Sequence, residues 1–240
     1  MIKQTDLEKV KEVAKMFLYF KIEQSSKYEE LVFHPFISSS TEMIWDSKTN
    51  TRIAVDVLTD LEALEVYREM MKQRIDEATR LWDIHIMINK CYKMFFLKEI
   101  ASHLSTTDIG VYLRDNFSMV ENVSDDVDIS KFQIMMLFKK SDLNTRMHEE
   151  DRVIFDALPN DVTIYRGVRG FNPDHAQSLS WTLDIEQARK FANRYSTGGC
   201  VYAAIIQKGN ILAYYGGRSE AEVIVDYKKL RDIKQLEIID

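Results

Sequence analysis

The chain has 240 residues, 45% apolar and 29% charged, which is a globular rather than a disordered composition. The formal net charge is −6, and residues 159–240 carry 11 Lys+Arg against 10 Asp+Glu, so no part has the basic excess needed to grip a nucleic-acid backbone over a wide face. No apolar run approaches the roughly 18–20 residues of a membrane span, and the first residues, Met-Ile-Lys-Gln-Thr-Asp-Leu-Glu, have no signal-peptide pattern. A cytoplasmic protein is expected, with no membrane partner and nucleic acid not favoured. Cys91 and Cys200 lack metal-ligand spacing and read as buried thiols in a reducing compartment.

Helix patterns dominate the first part of the chain. A helix is predicted over Leu7–Glu23, with Val10, Val13, Met16, Phe17 and Phe20 on one face and Thr5 or Asp6 as its cap. Residues 42–58 are ambiguous, with a short strand over Arg52–Leu58. Thr59-Asp60-Leu61-Glu62 is capping chemistry that opens a helical tract to about Leu104, broken near Trp82–Ile84. Shorter helices follow at Thr107–Phe117, Ile129–Lys139 and Glu149–Ala157, with an acidic connector at Ser124–Asp128. Methionines at helical spacing here, such as Met71, Met94, Met135 and Met136, read as core filler.

Leu158-Pro159-Asn160-Asp161 breaks this pattern. Strands are predicted at Val162–Val168, Cys200–Ile206, Ile211–Tyr215, Glu222–Asp226 and Leu236–Ile239. A helix over Asp184–Tyr195 lies among them, and Lys208-Gly209-Asn210 is turn chemistry. Helices followed by strands predict an α+β fold: a helix-rich portion over 1–158, packed as one unit with or beside a core over 159–240. Glycine follows the same division. Gly110 stands alone among the first 166 residues, and the other seven of the eight glycines fall after it. Tight turns and close backbone approaches are therefore expected near the C-terminal end.

Three segments there carry chemistry. In Ile164-Tyr165-Arg166-Gly167 an arginine sits in an apolar strand. It is either a strand-end residue reaching solvent or a carboxylate, or a fork for an anion. In Ser180-Trp181-Thr182 alternation puts two hydroxyls on one face, as edge-strand polar residues, a helix entry or a ligand contact. Gly216-Gly217-Arg218-Ser219 reads as a flexible loop into Glu220-Ala221-Glu222-Val223-Ile224-Val225. Period 2 sets Glu220 and Glu222 side by side, either facing solvent or flanking a ligand. The five histidines are scattered, so no metal site is expected. No Gly-x-Gly-x-x-Gly, phosphate loop or nucleophile elbow is present.

In this order and with these flanks, the three segments resemble the Arg–Ser–Glu class of ADP-ribosyltransferases, which includes arginine-modifying bacterial toxins and phage-encoded modifying enzymes. The matching features are Tyr165-Arg166-Gly167, Ser180-Trp181-Thr182 with the following Ala188-x-x-Phe191-Ala192 helix, and Glu220-Ala221-Glu222 after a glycine-rich loop. They span residues 160–228. The second motif departs from the usual Ser-Thr-Ser or Ser-Phe-Ser, and the interval from Arg166 to Ser180 is short. The resemblance implies a compact mixed or antiparallel β core over 159–240 and NAD as cosubstrate, with no metal. Arg166 would clamp the pyrophosphate, and the backbone of Gly167 would meet the nicotinamide amide. Glu222 would face the ribose cation and hold the ribose 2′-hydroxyl, Ser180 would orient Glu222 or contact the ribose, and Thr182 would support it, with Glu220 on the acceptor side. A protein acceptor would dock near Gly216–Glu220, with Tyr214, Tyr215 and Arg218 beside it. The implied activity is mono-ADP-ribosyl transfer to protein arginine. The alternatives are the same NAD chemistry on nucleic acid, a small molecule or water, or an NAD- or peptide-binding module without catalysis.

Overall fold

The computed structural model describes residues 4–24, 32–46, 49–117, 129–169, 176–194 and 198–239. The expected connector Ser124–Asp128, Gly170, His175 and the helix end at Tyr195 lie outside them. The chain divides into two compact units, Met1–Ser105 with Met119–Ile129, and Thr106–Ser118 with Ser130–Asp240. It mixes helices with antiparallel sheets. Among the described residues no helix is long and apolar enough to cross a membrane.

The first unit opens with α1 (Leu7–Phe17), capped by Asp6, whose carboxylate accepts the Lys9 N–H at 3.1 Å. The helix ends short of Glu23. Glu23–Gln24 instead forms β1, paired with β2 (Val32–Phe33). The ambiguous stretch 42–58 is an antiparallel hairpin, β3 (Thr41–Asp46) with β4 (Thr51–Asp56). Asp60 caps α2 (Leu61–Glu77) by accepting the Ala63 N–H at 3.0 Å. The break expected at Trp82–Ile84 lies earlier, at 78–80. There Asp83 reaches back to the N–H groups of Thr79 and Arg80, at 3.0 Å each, and starts α3 (Leu81–His85). A 3₁₀ turn at Lys90–Tyr92 leads into α4 (Lys93–Ile100). Phe17 stacks on Phe20 and Phe95 at ring separations of 4.5 and 5.4 Å and meets Phe96 edge-on.

A polar clasp holds the segment before the hairpin. The Asn89 amide donates to the carbonyls of His34 and Ile37 at 2.7 and 2.9 Å, and the Tyr67 hydroxyl donates to that of Phe36 at 2.8 Å. Buried His34 accepts the Phe36 and Ile37 N–H groups on Nδ1, at 3.1 and 3.2 Å. Burial holds its pKa down at about 4.

The second unit begins with α5 (Thr106–Asn116), α6 (Lys131–Lys140) and α7 (Glu149–Ala157). After them come β5 (Asp161–Arg169), β6 (Ser180–Thr182), α8 (Ile185–Ala192), β7 (Gly199–Gln207), β8 (Ile211–Tyr215), β9 (Glu222–Val225) and β10 (Arg231–Ile239). The six strands form one antiparallel sheet in the order β10-β7-β5-β6-β9-β8. Helices give way to strands at the expected point, Leu158–Pro159, yet the compact unit holding the sheet starts at Thr106. The reason is the buried edge strand β8, against which α6 and α7 pack. Buried Arg146 fastens it, donating to Ser141 Oγ at 2.7 Å, to the Ser141 carbonyl at 2.5 Å and to the Leu212 carbonyl at 3.0 Å. The Lys208–Asn210 turn is not a hairpin tip, since β5, β6 and β9 lie between β7 and β8. β10 is longer than Leu236–Ile239. Its left-handed Asp232 and two register shifts hide the strand periodicity from the sequence.

α8 crosses β5 and β7 at two glycines. A Cβ on Gly167 would lie 1.9 Å from the Ala188 carbonyl oxygen and 2.5 Å from the Ala192 nitrogen. A Cβ on Gly199 would likewise lie 2.5 Å from the Ala192 carbonyl oxygen. Gly167→Ala is expected to lower the unfolding free energy by at least about 2 kcal/mol. Gly217→Ala, where a Cβ would meet nothing within 4 Å, should change it by less than about 0.5 kcal/mol. Urea denaturation measures both. His34 adds a pH dependence. Its folded pKa lies below its ordinary 6.5, so it charges first in the unfolded chain. Stability should be full above pH 6.5 and fall as pH drops towards 4, and His34→Asn should flatten that slope in denaturation at pH 7 and pH 5.

Candidate functional site

Three adjacent strands carry the three expected residues. Arg166 lies on β5, Ser180 opens β6 and Glu222 opens β9. β6 is only three residues long and sits between the other two. Its Thr182 is in register with Tyr165 on one side and Glu222 on the other. The Ser180 hydroxyl donates to Glu222 Oε1 at 2.5 Å. The two are diagonal neighbours on one face of the β6–β9 ladder.

β5 and β6 share a single register pair, Tyr165 with Thr182. Past it, the Arg166 guanidinium donates from Nη1 to the Ser180 carbonyl at 2.5 Å. Burial pulls the Arg166 pKa down to about 10, and the Glu222 charge acts the other way. At neutral pH the group therefore remains a cation. A fixed cation, a carboxylate and the hydroxyl that orients it thus meet around Ser180.

The remaining expected residues have more structural duties. The Thr182 hydroxyl is buried and engaged as both donor and acceptor: it donates to the Glu220 carbonyl at 2.7 Å and accepts the Asp184 N–H at 3.0 Å. It stitches β6, the entry to α8 and the Glu220 turn together rather than facing a ligand. Gly167 has its space filled by α8, so helix–sheet packing alone demands a glycine there. Glu220 does not share an extended strand with Glu222. Its backbone is αR, Ala221 is left-handed at φ 43°, and β9 begins only at Glu222, so strand alternation does not apply to the pair.

The Gly216–Ser219 segment forms a hydrogen-bonded turn. Gly217–Ser219 is a 3₁₀ turn, and the Gly216 N–H donates to Asp151 Oδ1 of α7 at 2.8 Å. Tyr214 and Tyr215 are each only 5% exposed, so they cannot form an acceptor-recognising surface. Tyr215 lies in register with Glu222, and burial raises its phenol pKa well above the ordinary 10, keeping it neutral. Asp151 and Arg146 gave no signal in the sequence: one is among three consecutive acids of a helix start, the other among ordinary loop cations.

Among the described residues no group of three or more His, Cys, Asp or Glu side chains is arranged to hold a metal ion. Thr182→Val keeps the shape of the side chain and strands two buried partners. It is expected to cost about 1–3 kcal/mol, read by chemical denaturation. No family model, curated protein or solved structure matches this chain.

Proposed function

We propose that the second unit cleaves NAD and transfers its ADP-ribose to a protein acceptor, on arginine, releasing nicotinamide. The observation that carries this reading is the Ser180–Glu222 hydrogen bond, beside an arginine that donates to the Ser180 backbone. NAD carries a dianionic pyrophosphate, and a guanidinium that stays protonated at neutral pH suits it as a clamp. In the reaction the bond between ribose C1′ and the nicotinamide nitrogen breaks, and its electron pair leaves with neutral nicotinamide. Positive charge builds on the ribose. A carboxylate held in place before the reaction stabilises that charge without reorganising. Glu222 is that group, with Ser180 fixing its rotamer.

The acceptor nitrogen then bonds to C1′ and gives up a proton. A guanidinium is a poor nucleophile until a base takes that proton. Glu220, at the end of the turn before β9, is assigned this role. The fold contributes placement, since all the groups stand on strands or on a turn pinned at both ends.

The test is nicotinamide release from NAD by the whole chain. Glu222→Gln should lower the rate at least about a hundredfold while the unfolding transition stays cooperative. Release at the wild-type rate in that variant overturns the assignment of Glu222. Mass spectrometry of the modified acceptor then reads the linkage, and label found only on nucleic acid overturns the arginine reading.

A further inference from the structure

We propose that Asp151 is a positioning residue for Glu222, acting through the turn between β8 and β9; this rests on reading Arg166, Ser180 and Glu222 as an NAD-cleaving site. The turn is held under tension. Ser219 and Ala221 both adopt left-handed backbone, at φ 57° and 43°, though neither is glycine. Such a conformation is unfavourable for a residue with a Cβ and persists only where the surroundings over-determine it. At the far end of the turn, the Leu183 N–H donates to the Ala221 carbonyl at 3.0 Å, and Thr182 holds the Glu220 carbonyl. At the near end the hold is Asp151, which accepts the Gly216 N–H at 2.8 Å.

Asp151 is only 7% exposed and stands in the first turn of α7, which packs against β8. A Cβ on Gly216 would come within 2.9 Å of the Asp151 oxygen, so the carboxylate sits close against the backbone of the turn. Removing that acceptor leaves a poorly solvated N–H and releases one end of a strained segment. The strain then relaxes along the turn and moves Glu222 against Ser180 and Arg166. The pyrophosphate clamp, Arg166, stands on β5 and is not carried by the turn, so the loss falls mainly on turnover and less on binding. A helix outside the strand-rich core thereby sets the aim of the carboxylate.

The experiment is steady-state nicotinamide release by the whole chain, with amide hydrogen exchange at Gly216 as a second readout. Asp151→Ala should lower kcat about tenfold or more, leave KM for NAD within about twofold, and speed exchange at Gly216. Asp151→Asn, whose amide oxygen can accept the same hydrogen bond, should recover most of the turnover and the protection. If the alanine variant does not fold, Asp151→Ser, which shortens the side chain and withdraws the acceptor, gives the same contrast. Unchanged kcat, an equal loss in Asp151→Asn, or unchanged exchange in the alanine variant overturns the proposal. If the wild-type chain releases no nicotinamide, the NAD reading fails on its own. Exchange at Gly216 then decides the anchoring, faster exchange in Asp151→Ala supporting it and unchanged exchange overturning it.

Discussion

The close crossing of α8 over β5 and β7 is the constraint on which the second unit is built. Helix and sheet backbones approach within a distance that no side chain tolerates, and Gly167 and Gly199 are where they do so. Nine residue pairs of β5 and β7 then lie in continuous register beneath the helix. Ala188, Ala192 and Val201 fill the space between, with Tyr165 and Ile185 packed around them. Small residues on both partners make the approach possible, and the approach excludes water from the ladder. Because α8 is joined to β6 by only Leu183 and its cap Asp184, fixing the helix also fixes the strand that carries Ser180 and Thr182.

From that frame the candidate site follows by short links. β6 stands between β5 and β9, and Thr182 touches the register of both. The cation, the hydroxyl and the carboxylate therefore come from three neighbouring strands whose spacing is set by backbone hydrogen bonds. The turn before β9 is pinned from two directions, by Thr182 of β6 and by Asp151 of α7. Preorganisation of this kind is what an electrostatic role for Glu222 requires, since a carboxylate free to move would relax away from a developing charge.

Much of this was legible in the sequence, for identifiable reasons. β8 and α7 have the bounds expected of them, because an aliphatic and aromatic run or an amphipathic pattern ends at clear breakers. Arg166, Ser180 and Glu222 were legible as an ordered set, and the structure brings them together. What failed rests on tertiary or backbone facts that no local pattern carries. The left-handed Ala221 removes the alternation assumed between Glu220 and Glu222. Tyr214 and Tyr215 are covered because α6 and α7 close over β8, although their neighbours Gly216 and Gly217 look like open loop. The grouping of α5, α6 and α7 with the sheet was hidden because Pro159 marks a change of element, not the edge of a folding unit.

The sheet has two unlike borders. β8 is roofed by helices and locked by a buried guanidinium, whereas β10 presents mostly exposed residues and, among the described residues, no strand beyond it. Any lengthening of the sheet, by another segment or another molecule, is therefore one-sided. The kink at Asp232 and the two slips in register make even that side an uneven template, with its amides and carbonyls out of step for a straight incoming strand. Exposed Ile233, Leu236 and Ile238 lie along the same border. Its irregular backbone thus makes a poor template for self-stacking along a border that carries exposed apolar side chains.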